Sequence, residues 1–157
     1  MLKRFFMSGI FLLMAGLGFA TVKMMPTVAG NISVKAAAVK MVQMGPMGQA
    51  KPMAGDISTE MKMDVINSGT EMAKLVAATT PIAQKVQLHH FVEKDGKTVM
   101  QQIQSIDIAA HSEDDLSYQG VHIMLMGLKS PLIKDQKIPL TLIFSDGSYV
   151  HINAIVG

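Results

Sequence analysis

The stretch Val121-His122-Ile123-Met124-Leu125-Met126 alternates two kinds of side chain with a period of two. In an extended strand that period sends Val121, Ile123 and Leu125 to one face and His122, Met124 and Met126 to the other. The first set suits a core. The second puts an imidazole and a thioether side by side, about 6.5 to 7 Å apart along the strand.

The same alternation recurs outward from this stretch. Ile138, Leu140, Leu142 and Phe144 alternate, as do Val150, Ile152, Ala154 and Val156. Strands are expected over 32–39, 58–66, 74–79, 85–93, 97–105, 115–118, 121–126, 138–144 and 148–155. Turn residues separate them at Asn67-Ser68-Gly69, Asp95-Gly96, Gln119-Gly120, Lys134-Asp135 and Asp146-Gly147. Many short strands punctuated in this way indicate an all-β sandwich or barrel.

Asp95-Gly96 and Asp146-Gly147 both favour two-residue type I′ hairpins. Centring the first on Asp95 and Gly96 pairs Lys94 with Lys97, Phe91 with Met100 and His89 with Gln102. His89 and Met100 then become diagonal neighbours on one face, roughly 7 to 8 Å apart at the backbone. A three-residue loop would send them to opposite faces.

Residues 1–20 carry Lys3 and Arg4 and then an apolar run over residues 5–19, the layout of a secretory signal peptide. Cleavage is expected after Ala20, with Ala29 as a second site; an uncleaved run approaches the length of a membrane anchor and is the sole membrane attachment expected. Residues 21–31 read as a linker, and residues 32–157 as a single domain. The chain has no cysteine, so no disulfide and no cysteine-borne lipid is expected. Removing Lys3 and Arg4 leaves 12 basic against 12 acidic residues. Scattered, balanced charge without Trp argues against nucleic acid as a partner.

Methionine is abundant, at 15 of 157 residues. Thioethers fill irregular cores well, but Met41, Met44, Met47 and Met53 lie among Gly45, Pro46, Gly48 and Pro52, a turn-rich segment over 41–53 unlike a core. This Met-x-x-Met-x-x-Met spacing resembles the methionine motifs of copper transport proteins, a resemblance that implies an accessory collector of Cu(I); a surface loop is the plain alternative. Met61 and Met63 share a strand face and could join either that segment or the core.

Two of the five histidines stand in a spaced set with methionines: His89, ten residues, Met100, twenty-one residues, His122, one residue, Met124. Two imidazoles and two thioethers form a neutral, soft donor set, which suits Cu(I). Zinc prefers thiolate, imidazole and carboxylate, and a blue-copper centre requires a Cys thiolate. His90 should face away from His89, His111 should lie in a solvated loop, and His151 should point outward with no role.

This spacing, the run Ala77-Ala78-Thr79-Thr80-Pro81-Ile82-Ala83 leading to Val86-Gln87-Leu88-His89, and Gly120-Val121-His122-Ile123-Met124-Leu125-Met126-Gly127-Leu128-Lys129 resemble the PCuAC copper chaperones from about Ile32 onward. The resemblance implies a cupredoxin-like, immunoglobulin-like Greek-key β-sandwich with Cu(I) held by His89, Met100, His122 and Met124. It also implies a periplasmic, non-enzymatic role, supplying the CuA domain of cytochrome c oxidase in concert with Sco-type proteins. Family members often have a Met close after the first His, whereas His90 and Phe91 follow His89 here. The rivals are a copper-dependent redox enzyme, disfavoured because Cu(II) prefers harder N and O ligands, a copper storage or resistance protein, and a metal-free adhesive sandwich. Ligand exchange with an acceptor calls for an open site at the surface.

Overall fold

In the computed structural model, residues 29–42, 57–117 and 120–157 are described. Ten strands form among them: β1 (Ile32–Val39), β2 (Ser58–Asn67), β3 (Ala73–Thr79), β4 (Ala83–Lys94), β5 (Lys97–Ile103), β6 (Ile106–Ile108), β7 (Ser112–Leu116), β8 (His122–Leu128), β9 (Lys137–Phe144) and β10 (Tyr149–Val156). No helix occurs among the described residues. The three-residue β6 falls where no strand is expected, and β7 begins three residues before the expected 115–118. Ile106-Asp107-Ile108 is too short for its alternation to stand out, and it becomes a strand by pairing with β3. The expected leader and most of the expected linker lie outside the described residues.

The strands hydrogen bond in the order β5-β4-β8-β2-β1-β10-β9-β3-β6, with β7 added on β2. The two ends of this path do not pair, so the sheet is open and not a closed barrel. Its strands nonetheless feed one buried cluster, which requires the sheet to fold over on itself. From β2 come Met61, Met63 and Val65, from β8 Ile123 and Leu125, from β9 Ile138, Leu140, Leu142 and Phe144, and from β10 Ala154 and Val156. Met61 and Met63 thus belong to the core.

A β-bulge helps the sheet to turn. Between Lys35 and Ala38 the β1–β2 register shifts by one residue, with Ala36 at φ 50°, and the extra residue bends the strand. Beyond it, Ala38 and Val39 run parallel to Ile155 and Val156 of β10.

Asp95 and Gly96 adopt φ of 52° and 71°, the two positive values that a type I′ turn demands. The resulting register pairs Lys94 with Lys97, Phe91 with Met100 and His89 with Gln102, as expected. Asp146-Gly147 departs from its expectation. Tyr149 pairs with Ile143, Gly147 N–H donates to Phe144 O at 3.0 Å, and only Gly147 has positive φ, at 82°. These features describe a three-residue loop with a bulge at the glycine. Two effects favour it. Asp146 Oδ1 accepts from Ser148 N at 2.8 Å and Ser148 Oγ at 2.6 Å. The odd loop also pairs Leu142 with Val150 and Leu140 with Ile152; a two-residue loop would set one strand's apolar face against the other's polar face.

A candidate soft-metal centre on three adjacent strands

Strands β5, β4 and β8 are neighbours in the sheet, and their registers decide which side chains share a face. His89 lies directly opposite His122 on β8 and opposite Gln102 on β5, while Phe91 lies opposite Met100. Residues opposite one another point to the same side, as do residues two apart along a strand. Met100, His89, His122 and Met124 therefore share the face that Leu88, Ile123 and Leu125 do not use. His90, half-buried, points the other way.

The His89 and His122 rings are 6.0 Å apart between centroids and inclined by 68°. An imidazole nitrogen binds a small d¹⁰ ion at about 2.0 Å, which puts each centroid about 3 Å from the ion. Two rings sharing one ion cannot be much more than about 6 Å apart on that basis. This pair meets the limit.

The polar contacts of the two rings leave one nitrogen free on each. His122 Nδ1–H donates to the Gly120 carbonyl at 3.1 Å. His89 Nε2–H donates to Gln87 Oε1 at 3.1 Å, and Gln87 Nε2–H donates in turn to Gln102 Oε1 at 2.9 Å. His89 Nδ1 and His122 Nε2 are both buried and have no hydrogen-bond partner. Buried polar atoms are nearly always satisfied, so two orphans on facing imidazoles mark a place for a ligand. Each ring's bonded nitrogen carries the proton and its orphan offers a lone pair, the arrangement that metal-binding histidines adopt. Burial, with a lesser contribution from His122, lowers the pKa of His89 below 6.5. The ring is thereby kept in its neutral, metal-binding form.

The site is not uniformly open. His122 is fully buried, with the Phe91 ring 5.3 Å away and tilted by 34°. His89 and Met124 are half-buried, and Met100, on the edge strand β5, is 41% exposed. The open site expected from ligand exchange is thus open on the Met100 side and closed over His122. Phe91, on the same face two residues past His89, supplies this cover.

No hard donors join the set. Among the described residues, no three His, Cys, Asp or Glu side chains gather as a metal cluster. Glu60, opposite Met124 on β2, has its carboxylate 3.4 Å from Lys40 Nζ. Glu60, Gln87 and Gln102 also lie on this face but have polar partners of their own; the imidazole and thioether donors fit a soft monovalent ion better than Zn²⁺ or Mg²⁺. Met41 is half-buried against the core; Met44, Met47 and Met53 lie outside the described residues. His111 is exposed in a turn, and His151 faces outward with Nδ1 2.8 Å from Thr141 Oγ1.

Gln87, Gln102, Phe91 and the Gly120 carbonyl were not among the sequence-derived candidates. The signal for the first three was the period-two rule, which places them on the face of His89 once the first hairpin is registered.

The fold has known counterparts. The chain superposes on the copper-bound PCuAC domain from PmoF2 with a TM-score of 0.61 and 18% identity, covering 85% of this chain and 97% of that one. For the Cu(I)-bound DR1885 protein from Deinococcus radiodurans the values are 0.58 and 28%, with 87% and 82% covered. A curated relative, "Putative lipoprotein Lxx21020" of Leifsonia xyli subsp. xyli (strain CTCB07), is 48% identical over 96 residues, 60% of this chain. The chain spans 58% of that relative's length. The family model described as "Putative lipoprotein LpqE-like" matches residues 29–156. The chain has a PCuAC-type fold and, by the match over residues 29–156, belongs to the LpqE-like family.

Proposed function

We propose that this protein is a Cu(I) chaperone that works outside the cytoplasm, holding one ion through His89, Met100, His122 and Met124 and passing it on by ligand exchange. The observation that carries the reading is the pair of orphaned nitrogens, His89 Nδ1 and His122 Nε2, flanked on the same face by two methionines. The copper-bound PmoF2 domain and the Cu(I)-bound DR1885 protein, which share the fold, support it. The leader over residues 1–20 and the lipoprotein description of the family support export, although this sequence has no cysteine on which a lipid could be carried.

The transfer mechanism follows from the ligands. Thioethers hold Cu(I) without supplying negative charge, so the ion moves downhill to a thiolate-bearing acceptor. Exposed Met100 is the ligand an acceptor reaches first and displaces first, while His122, buried beneath Phe91, releases last. No bond is made or broken in a substrate, and the role is carriage without catalysis. The CuA domain of cytochrome c oxidase, supplied together with Sco-type proteins, is the proposed destination.

Copper titration of the purified protein, in competition with a chromogenic Cu(I) chelator and in parallel with Cu(II), tests this reading. One tight equivalent of Cu(I), with Cu(II) bound far more weakly, is the expected result. Preference for Cu(II), or turnover of copper with oxygen, would point to the redox-enzyme alternative.

A further inference from the structure

Resting on the copper reading, we propose that Gln87 and Gln102 are a positioning pair that selects the His89 tautomer and so decides which ring nitrogen faces the ion. Gln87 lies two residues before His89 on β4 and opposite Met124 on β8. Gln102 lies opposite His89 on β5. Both glutamines are therefore on the metal face, Gln87 along the strand from His89 and Gln102 across from it, in contact with each other.

A glutamine amide presents a donor at one end and an acceptor at the other. Gln102 Oε1, an acceptor, stands 2.9 Å from Gln87 and takes its NH₂ end. That leaves the carbonyl end, Gln87 Oε1, 3.1 Å from His89 Nε2. An acceptor there holds the proton on Nε2 and leaves the buried Nδ1 bare. With the Gln87 amide reversed, an NH₂ would meet Nε2, the ring proton would move to Nδ1, and an N–H would be buried with nothing to accept it.

His122 obtains the opposite tautomer from a fixed backbone acceptor, Gly120 O. His89, in mid-strand, has its own backbone engaged in the β4–β5 and β4–β8 ladders and relies on side chains instead. The two histidines thus present different ring nitrogens, Nδ1 and Nε2, to one ion. Outer partners of metal-bound histidines contribute about 10- to 100-fold in affinity, the loss expected when the pair is broken.

The test combines Gln87→Leu, Gln102→Leu and the conservative Gln87→Glu, which keeps an acceptor for His89 Nε2. In each apoprotein, ¹⁵N-resolved NMR of the imidazoles reads the tautomer without copper; chelator competition then reads Cu(I) affinity. The parent and Gln87→Glu should show His89 as Nε2–H. Gln87→Leu should show a mixture with Nδ1–H and bind Cu(I) about 10- to 100-fold more weakly. Exposed Gln102 can be replaced without disturbing the core, and Gln102→Leu should move the tautomer in the same direction. A parent His89 protonated on Nδ1, or a Gln87→Leu variant with unchanged tautomer and affinity, overturns the proposal. A parent with the expected tautomer that takes up no Cu(I) overturns instead the copper reading on which the pair's role depends.

Discussion

His89 and His122 face each other across the β4–β8 ladder, 6.0 Å apart between ring centroids, each with one nitrogen hydrogen bonded and the other buried and bare. In sequence they are thirty-three residues apart, and between them the chain forms β5, β6 and β7. The pairing is therefore a product of sheet assembly, and the consequences below depend on it.

Removing one sulfur should separate coordination from folding. Met124→Leu keeps volume and apolarity, so apoprotein stability should change by less than about 1.5 kcal/mol, while Cu(I) affinity falls by an order of magnitude or more. Urea unfolding and chelator competition on the same preparation check both halves. Parental affinity in Met124→Leu would remove this residue from the ligand set. His122→Ala is the harsher change, since the ring is fully buried and its loss leaves a cavity as well as a missing ligand.

The Asp95-Gly96 turn should be felt at the proposed metal site. Gly96 has φ 71°, and although a Cβ there meets nothing within 4 Å, the left-handed conformation costs a non-glycine residue about 1 to 2 kcal/mol. Gly96→Val should destabilise the β4–β5 hairpin by about that amount and weaken Cu(I) binding, because this turn sets the register that puts Met100 beside His89. Backbone NMR of β5 and copper titration would register the two effects together; a β5 displaced from its register in the NMR with copper affinity untouched would exclude Met100 as a ligand.

Burial of His89 also predicts a pH dependence of the apoprotein. Its pKa lies below 6.5 in the folded state, chiefly through desolvation and secondarily through His122. Above about pH 6.5 the ring is neutral whether the chain is folded or not, and stability is unaffected. Below that value the unfolded chain takes a proton that the folded chain refuses, so stability falls as the pH falls toward the folded pKa. The parent should lose more stability than His89→Gln between pH 7.5 and pH 5, measured by denaturant titration. Parallel profiles would show that His89 is not held neutral.

If the 41–53 segment collects copper, the triple substitution Met41→Leu, Met44→Leu and Met47→Leu should abolish a weak second Cu(I) equivalent and spare the first. Leu is close to Met in size and apolarity, so the fold should tolerate it. Unchanged stoichiometry on titration would assign the segment to the surface alone.

The limits of local reading show in the two Asp-Gly dipeptides. At Asp95-Gly96 the local preference and the apolar pattern agree, and the observed register of His89, Gln102, Phe91 and Met100 is the one that the dipeptide implies. At Asp146-Gly147 they conflict, because two-residue geometry would misalign Leu140 and Leu142 with Ile152 and Val150. Burial of those side chains outweighs the turn preference, and a three-residue loop results.

The sequence by itself determined the strand alternation, the core faces of β8, β9 and β10 and the first hairpin, and it offered a soft, thiol-free set of candidate donors. Those properties are local: they follow from the two-residue period of a strand, from the left-handed preference of Gly96 and from the chemistry of imidazole and thioether. Only the tertiary structure decided that β8 adds to the side of β4 away from the edge strand β5, that His122 disappears beneath Phe91, and that Gln87, itself bonded to Gln102, meets one nitrogen of His89 and leaves the other bare. Pairing of distant strands is settled by how the whole folded sheet closes on Met61, Ile123 and Leu142, and the free nitrogen is settled by hydrogen bonds that exist only once that closure has occurred.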